Sequence, residues 1–202
     1  NIENLQPNQN YADTKTAQGW ADSGSVPFLD DFNTSASESN YYLYDTTAGT
    51  YEVKDGVLSC TGSTDWTAGA TVAAGSYADF TMEFKLRFDA SSGGWMSVGM
   101  RKAMVNGNHN NSGLSLMISP GGSVFFFDSV SKKNMEATKI KDMKTGEWNA
   151  VKIVANGSTI KAYVNGEKMA TYTDTTFFDG FISFTSGMTK FSIDDLKITP
   201  MN

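Results

Sequence analysis

The sequence is poor in the residues that most catalytic and metal centres use, with one cysteine and one histidine among 202 residues. Cys60 has no partner for a disulfide within the chain, and the same count excludes zinc sites built on cysteines. We interpret Cys60 as a small buried apolar side chain. Serine or cysteine catalysis with a histidine base would depend on His109 alone, which lies in the polar segment GNHNNSG.

Basic residues and long apolar runs are also scarce. The chain carries 16 Lys and Arg against 22 Asp and Glu, a formal net charge of -6. Without a basic cluster to follow phosphates, nucleic acid is a poor partner for this protein. No apolar run approaches the roughly 20 residues that span a bilayer, so we expect no membrane insertion.

The chain is predicted to consist of a polar arm and one folded domain. Residues 1–26 are rich in Asn, Gln, Ser and Gly, which predicts an extended arm or linker with Tyr11 and Trp20 as candidates to dock it. Residues 27–202 are predicted to form a single domain, because all-β domains of this length are commonly undivided. The lack of an apolar signal segment at the start predicts a mature form or an excised fragment.

Strand patterns dominate the predicted domain. ADFTMEFKLRFD (Ala78–Asp89) alternates between apolar and polar residues, a period of two that is typical of a half-buried strand. GWMSVGMR (Gly94–Arg101) alternates in the same way. Its predicted inner residues are Met96, Val98 and Met100, and its predicted outer residues are Trp95, Ser97, Gly99 and Arg101.

Turn signals between the strand patterns predict hairpins. Asn156-Gly157 and Asn165-Gly166 separate three strand-like runs, and a type I′ turn needs the positive φ that Asn-Gly tolerates. We therefore predict a three-stranded antiparallel meander that begins with Trp148 in the core. Short strands at regular spacing, with almost no helical signal, predict an all-β, two-sheet antiparallel sandwich. Further hairpins are predicted at Asp55-Gly56 and Gly121-Gly122.

Four segments together resemble the concanavalin A-like lectin/glucanase jelly roll: FLDDF, the pair around DGVL, the meander WNAVKIVANGSTIKAYVNGE and the closing SIDDLKIT. The resemblance covers about residues 27–199 and implies that FLDDF and SIDDLKIT pair as neighbouring strands. Within this superfamily the chain is similar to family 66-like carbohydrate-binding modules and to keto-disaccharide hydrolase-like (laminin G-like) domains. The resemblance is more specific for fold than for function, because lectins, binding modules and glycanases all share it.

The carboxylate pattern of retaining glucanases on this fold does not occur in the sequence. Those enzymes carry E-x-D-x-x-E along one strand, with the two reacting carboxyl groups about 5 Å apart. The strand Thr81–Arg87 offers one carboxylate, and the adjacent aspartates of SIDDLK point to opposite faces. A dispersed pair such as Glu83 with Asp128 stays open as the catalytic alternative, so enzyme activity is uncertain and less favoured than binding.

A sugar-binding surface is predicted on the two alternating strands. Carbohydrate recognition uses aromatic faces against sugar rings and polar side chains that hydrogen bond to hydroxyl groups. If Thr81–Arg87 and Trp95–Arg101 are neighbours on a concave sheet, Trp95 lies among charged hydrogen-bonding groups. The polar loop 102–113 adds amide groups, and Trp66 could rim the surface. The candidate ligand-binding residues are Trp95, Arg101, Glu83, Arg87, Asn108, His109 and Trp66.

Each of these residues also has an explanation that needs no ligand. The arm could cover Trp95, and Glu83 with Arg87 could form a surface ion pair of little energetic value. The loop could be plainly solvated, and Trp66 could cap the core. The triple Phe125–Phe127 must place aromatic rings on both faces of its strand, so at least one ring is predicted to point outward.

Paired aspartates near the two ends of the predicted domain indicate a calcium site. The resemblance implies that their strands are neighbours, which would bring the carboxylates together. Carboxylates with backbone carbonyls suit Ca²⁺, a cation that takes about six to eight oxygen ligands. The alternative is that these aspartates face solvent. The candidate ligands of a structural Ca²⁺ are Asp30, Asp31, Asp194 and Asp195.

We therefore predict a non-catalytic carbohydrate-binding module that recognises an oligo- or polysaccharide on its concave sheet. It would belong to a larger secreted or surface polysaccharide-processing bacterial protein, and would act outside the cytoplasm as a monomer or as one module of that chain. The alternatives are a glycoside hydrolase-like enzyme acting on a polysaccharide or disaccharide, and a laminin G-like protein-interaction or spacer domain.

Overall fold

The computed structural model describes residues 27–45, 48–62, 67–90, 93–132, 138–139 and 143–201. The predicted arm 1–26, with Tyr11 and Trp20, and the candidate rim residue Trp66 lie outside the described residues. In the described ranges the chain forms fifteen strands and one short 3₁₀ helix, Ser35–Asn40, and no helix there is long and apolar enough to cross a membrane. The strands are β1 (Phe28–Asp30), β2 (Tyr41–Tyr44), β3 (Gly49–Lys54), β4 (Val57–Gly62), β5 (Gly69–Val72), β6 (Phe80–Phe88), β7 (Trp95–Lys102), β8 (Leu114–Ile118), β9 (Ser123–Asp128), β10 (Thr138–Lys139), β11 (Asn149–Asn156), β12 (Thr159–Val164), β13 (Glu167–Thr173), β14 (Phe181–Gly187) and β15 (Lys190–Pro200).

The strands form two antiparallel sheets packed as a sandwich. The eight-stranded sheet has the order β13-β12-β11-β6-β15-β4-β3, with β1 paired to β15. The seven-stranded sheet has the order β10-β9-β8-β7-β14-β5-β2. This architecture confirms the predicted all-β, two-sheet antiparallel jelly-roll sandwich.

Alternation along the strands builds the core between the two sheets. Every second residue of Phe80–Phe88 is buried, and the residues between them point away from the core. On β7, Met96, Val98 and Met100 are fully buried, as predicted. Cys60 lies in the same core, where burial raises the pKa of its thiol well above the ordinary value. A buried neutral thiol of this kind is an apolar packing group, as predicted.

The predicted meander is confirmed as β11, β12 and β13. Asn165 and Gly166 both have positive φ, at 50° and 82°, as a type I′ turn requires. The first turn lies one residue later than predicted, because Asn156 still pairs with Thr159 and the two-residue loop begins at Gly157. Of the two loop residues only Gly157 has positive φ, which is typical of a type II′ turn.

The first and last strands pair as the resemblance implied. Phe28 lies opposite Ile198, and Asp30 opposite Leu196, in the antiparallel register of β1 and β15. Strand β15 also pairs with β6 and β4, so it lies in the interior of the eight-stranded sheet. The two ends of the described chain therefore meet in one sheet.

Two predictions about the strands are wrong. The segments Thr81–Arg87 and Trp95–Arg101 lie on β6 and β7, which belong to different sheets because the connection between them crosses the sandwich. Their outer faces therefore point to opposite sides of the molecule. Trp148 is not in the core: it is 39% exposed, and the guanidinium carbon of Arg87 lies 4.7 Å from its ring centre.

Candidate functional site

The outer face of the seven-stranded sheet has small residues in its middle and aromatic residues at its sides. The antiparallel register places Ser97 on β7 opposite Thr185 on β14. In the next row, Gly99 lies between Ser115 on β8 and Ser183 on β14. The aromatic residues at the sides of this face are Phe125 and Phe127 on β9 and Tyr42 and Tyr44 on β2. Trp95 on β7 and Met117 on β8 share the face.

Three hydroxyl groups on this face are buried and unpaired. Ser97, Ser115 and Thr185 are 0% exposed, and none of their hydroxyl oxygens has a hydrogen-bond partner in the described part of the chain. We call these three residues the hydroxyl floor. A neighbouring hydroxyl is paired, since Ser183 donates to the carbonyl of Gly107 at 3.0 Å. An unpaired buried hydroxyl costs about 1–3 kcal/mol, so three on one face require an explanation such as a bound ligand or water.

An aromatic cluster of Trp95, His109 and Phe127 lies beside the hydroxyl floor. The centre of the His109 ring is 4.7 Å from that of Trp95 and 5.9 Å from that of Phe127. Because Trp95 is on β7 and Phe127 on β9, His109 lies over the intervening strand β8. Gly187 leaves room for the indole, since a Cβ there would come 2.6 Å from a Trp95 ring carbon. Trp95 and Phe127 are half-buried, so part of each ring can contact a ligand.

The loop 103–113 folds back over this face of the sheet. Val105 packs against the tyrosines of β2, and its carbonyl accepts a hydrogen bond from the hydroxyl of Thr71. Asn108 and His109 follow in the loop and are only 8% and 9% exposed. The structure therefore brings three predicted ligand-binding residues, Trp95, Asn108 and His109, to the same side of the sandwich.

Two ionisable groups next to this face have lowered pKa values. Lys102 is fully buried and donates from Nζ to the carbonyl of Asn111 at 2.9 Å. Burial lowers the pKa of Lys102 to about 7, although the negative charge of Asp128 opposes the shift. Burial, together with the positive charge of Lys102, lowers the pKa of His109 to about 4. His109 is therefore neutral at pH 7, and a neutral imidazole can donate a hydrogen bond from one ring nitrogen and accept one at the other.

The alternation along the strand predicted that Arg101 shares the outer face with Trp95, and this prediction is wrong. At Arg101 a φ of 50° and a register shift between β7 and β14 turn the side chain away. The guanidinium is 2% exposed and forms ion pairs with Asp174 at 3.1 Å and with Asp79 at 3.3 Å. Arg101 therefore joins loops of the scaffold, and its donors are occupied. The backbone carbonyls that it also contacts belong to Ala78, Gly157 and Phe177.

Glu83 and Arg87 lie on the opposite side of the sandwich from Trp95. Glu83 is exposed on the outer face of the eight-stranded sheet. Arg87 forms an ion pair with Asp89 and stacks over Trp148, rather than pairing with Glu83. The prediction that these two residues border a Trp95 site is therefore wrong, because it assumed that β6 and β7 were neighbours.

The carboxylates of the catalytic alternative, Glu83 and Asp128, are not brought together either. Asp128 is 3% exposed at the end of β9, in the other sheet from Glu83. Burial alone would raise the pKa of Asp128, but hydrogen bonds from Tyr172 and from the amides of Ser131 and Val130 outweigh it and lower the pKa. Asp128 is thus a hydrogen-bonded structural carboxylate.

Asp30, the first of the predicted calcium ligands, is engaged by protein donors. It is 6% exposed, and one carboxylate oxygen accepts hydrogen bonds from the amide of Phe32 at 2.9 Å and the hydroxyl of Ser37 at 2.7 Å. The other oxygen accepts from Asn40 and from the hydroxyl of Tyr41, each at 3.2 Å. Asp30 therefore fixes the 3₁₀ helix and the start of β2.

The other three aspartates do not complete a calcium site. Asp195 forms an ion pair with Lys85 at 2.6 Å, and Asp31 accepts a hydrogen bond from the amide of Asn33. Burial raises the pKa of Asp194, and the charge of Asp195 adds to this shift. Among the described residues, no group of three or more His, Cys, Asp or Glu side chains is placed to hold a metal ion. The predicted set therefore does not fit Ca²⁺.

Sequence reasoning identified Ser97 as outward-facing but missed Ser115 and Thr185. The signal was present, because LSLMI holds one serine among apolar residues and FISFTSG holds Ser183 and Thr185 at alternate positions. The same alternation on β9 was recognised: Phe125 and Phe127 face outward, as predicted for at least one ring of that triple.

Comparisons with known proteins agree with this architecture. A family model described as a 3-keto-alpha-glucoside-1,2-lyase-like domain matches residues 8–199, whereas no curated protein matches the chain. The carbohydrate-binding module CBM66 from Bacillus subtilis superposes with a TM-score of 0.66 at 14% identity, over 79% of this chain and 96% of that chain. A Bacillus subtilis protein of unknown function with a galectin-like fold gives 0.67 at 11% identity, over 87% and 96%. The Crh5 transglycosylase in complex with NAG gives 0.66 at 9% identity, over 88% and 85%. At these identities the likenesses support the fold.

Proposed function

This chain belongs to the family of 3-keto-alpha-glucoside-1,2-lyase-like domains, and from that premise we propose that it recognises a carbohydrate on the outer face of its seven-stranded sheet. The observation that carries the proposal is the hydroxyl floor of Ser97, Ser115 and Thr185 beside the aromatic cluster. A sugar hydroxyl can donate and accept hydrogen bonds, and so can the three hydroxyls of the floor. The apolar face of a sugar ring packs against aromatic rings. The fold that the chain shares with CBM66 and with the Crh5 transglycosylase is consistent with a carbohydrate ligand.

The proposed ligand contacts follow from the geometry of the face. A sugar ring packs against the accessible parts of Trp95 and Phe127, and neutral His109 hydrogen bonds to it. The hydroxyl floor is 0% exposed, so a sugar reaches it only when the loop 103–113 or another covering group moves. The energy needed for that movement lowers the apparent affinity, which is the ordinary consequence of binding a less populated conformation.

We favour recognition without catalysis as the mode of action. The strand residues of this face are mainly hydroxyl-bearing, small or aromatic, with Met117 and the side chain of Lys102 beside them, and Asp128 is turned between the sheets and held by Tyr172. We further propose that the domain works outside the cytoplasm as a module of a polysaccharide-processing protein. Fusion of the domain to a reporter protein, followed by localisation of the fusion protein in cells, would test that context.

A lyase-like reaction is the second candidate, favoured by the description of the family and by Lys102. Burial lowers the pKa of Lys102 to about 7, which is near the optimum for a general base at neutral pH. Incubation with a 3-keto-alpha-glucoside, followed by chromatography of the products, would test this reaction. No product from the wild-type chain would remove this candidate, whereas turnover abolished by Lys102→Met with binding retained would support it.

A glycan array with the purified chain tests the binding proposal. We expect signals from neutral glycans that Trp95→Ala weakens by about tenfold or more, since the indole is the largest ring of the cluster. Trp148→Ala is the matched control, because Trp148 is also a partly exposed tryptophan but lies on the eight-stranded sheet. Equal losses in both variants would contradict the proposed location. No signal from any glycan would favour the laminin G-like protein-interaction or spacer domain.

A further inference from the structure

A row of lysines crosses the outer face of the eight-stranded sheet, on the other side of the sandwich from the hydroxyl floor. The cross-strand register places five outward-facing residues side by side on β15, β6, β11, β12 and β13. In that order they are Lys197, Glu83, Lys152, Tyr163 and Lys168, and we call them the lysine row.

The lysine row carries an excess of positive charge on an acidic protein. All three lysines are exposed, and none forms an ion pair within 4 Å in the described ranges, whereas the nearby Lys85 is paired with Asp195 at 2.6 Å. Glu83 is the one acid of the row, so the row has a formal charge of 3 - 1 = +2, against -6 for the whole chain. A local excess of this kind attracts anions at short range, although the whole molecule repels them.

Protection of a sheet edge does not explain the lysine row. Proteins often place lysine on edge strands to prevent edge-to-edge pairing, and Lys168 lies on the edge strand β13. Lys152 and Lys197 lie on β11 and β15, which are hydrogen bonded to a neighbour on each side. Edge protection therefore does not account for these two lysines, which both lie directly opposite the single carboxylate of Glu83.

The lysine row passes through a groove with an apolar floor. The groove has a volume of about 620 Å³, and its walls include Glu83, Lys152, the half-buried ring of Tyr163 and the paired Lys85 and Asp195. Lys168 and Lys197 of the row lie outside its lining. Ala150 and Val154 supply apolar surface on the same face of β11. A groove of this size that combines an aromatic ring, apolar floor and flanking ammonium groups suits a sugar ring that bears an anionic group.

The spacing of the three lysines favours a polymer over a single anion. Neighbouring strands lie about 4.8 Å apart, so Lys197, Lys152 and Lys168, each two strands from the next, are spaced at about 10 Å. We propose that the lysine row binds an acidic polysaccharide, with Tyr163 against a sugar ring and the lysines on successive carboxylate or sulfate groups. A peptide that adds as a strand finds no free backbone groups here, because the interior strands are already paired. This second surface is independent of the site on the seven-stranded sheet.

Affinity electrophoresis of the full chain in gels containing polygalacturonate, alginate or heparin tests this proposal. Neutral dextran serves as the control polymer, and each gel is run at low and high salt. We expect retardation by at least one acidic polymer, sensitive to salt, and about tenfold weaker in Lys152→Gln/Lys168→Gln. The matched control is Lys54→Gln/Lys190→Gln, which removes the same charge from exposed positions of the same sheet outside the row and should change the affinity less than twofold.

Three results would overturn the proposal. The first is the absence of retardation by all three acidic polymers. The second is an equal loss of affinity in the row variant and the control variant, which would show a response to net charge alone. The third is equally strong binding of polyglutamate with the same dependence on Lys152 and Lys168, which would indicate an acidic protein as the partner. Lys152→Gln/Lys168→Gln should leave the neutral-glycan signals on the array unchanged, because both lysines lie on the other sheet, so failure here and failure of the neutral-glycan site are distinguishable.

Discussion

Replacing the unpaired hydroxyls of Ser97 and Thr185 should stabilise the free protein and weaken its binding to a glycan. Ser97→Ala and Thr185→Val remove the buried oxygen and change the packing little. Each unpaired buried hydroxyl costs about 1–3 kcal/mol, from which the small loss of packing contact is subtracted. We therefore expect a gain of about 1 kcal/mol in the free energy of unfolding for each substitution. For a domain of this size, 1 kcal/mol corresponds to about 2–4 °C in Tm.

The same substitutions should act in the opposite direction on affinity. Each removes one hydrogen bond to a sugar hydroxyl, worth about 0.5–1.5 kcal/mol, which is roughly a two- to twelvefold increase in Kd. Ser97 and Thr185 lie directly opposite each other, so their effects need not add, and both single variants are measured with the double variant. Urea unfolding gives the stability, and titration calorimetry with a glycan identified on the array gives the affinity.

The matched control is Ser183→Ala on the same strand, whose hydroxyl is paired with Gly107 and Tyr44. It should destabilise the protein by about 1 kcal/mol, because it breaks hydrogen bonds that exist in the free state. A loss of stability in Ser97→Ala and Thr185→Val similar to that in Ser183→Ala would show that these hydroxyls are not unpaired. It would mean that the hydroxyl floor is already satisfied in the free protein.

Three further predictions concern the scaffold and its ionisable groups. Arg101→Met should lower the free energy of unfolding by about 3–5 kcal/mol in urea titrations, because it leaves the fully buried carboxylate of Asp174 without its cationic partner. An unchanged midpoint of unfolding would contradict the importance of this ion pair. Asp30→Asn should lower the free energy of unfolding by about 1–3 kcal/mol, because protein donors occupy both carboxylate oxygens. For the same reason, excess Ca²⁺ or chelator should leave the Tm of the wild-type protein unchanged. A Tm raised by Ca²⁺ would contradict this prediction. The pKa of His109 is lowered from 6.5 to about 4, so the unfolded state binds more protons between these values, and stability should rise as the pH increases from about 4 to 6.5. The pKa of Lys102, lowered from 10.5 to about 7, should add a second rise above pH 7, and His109→Gln should remove the first rise only.

The parts of the fold that depend on local spacing were predictable from the sequence. The period of two on Phe80–Phe88 and the positive φ that Asn165 and Gly166 tolerate involve only neighbouring residues. Assignment of strands to sheets depends on the direction in which a connection turns, and the chain changes sheets between β6 and β7. That crossing separated Glu83 and Arg87 from Trp95, although the pattern of each strand was recognised correctly.

The candidate site was only partly predictable for the same reason. Trp95 and His109 were recognised because an outward tryptophan next to a polar loop is unusual in sequence. The hydroxyl floor combines residues from β7, β8 and β14, and its members become visible as a set only when the strand order is known. Arg101 was misplaced because a single residue with positive φ ends the alternation, and a periodic argument does not detect such a bulge.

The most direct test of a carbohydrate site on the seven-stranded sheet is a crystal structure of the chain with a neutral glycan selected on the array. We predict a sugar ring packed against Trp95, with its hydroxyl groups within hydrogen-bonding distance of the hydroxyls of Ser97, Ser115 or Thr185. A glycan bound elsewhere, with the hydroxyl floor still covered, would contradict a carbohydrate site on this sheet.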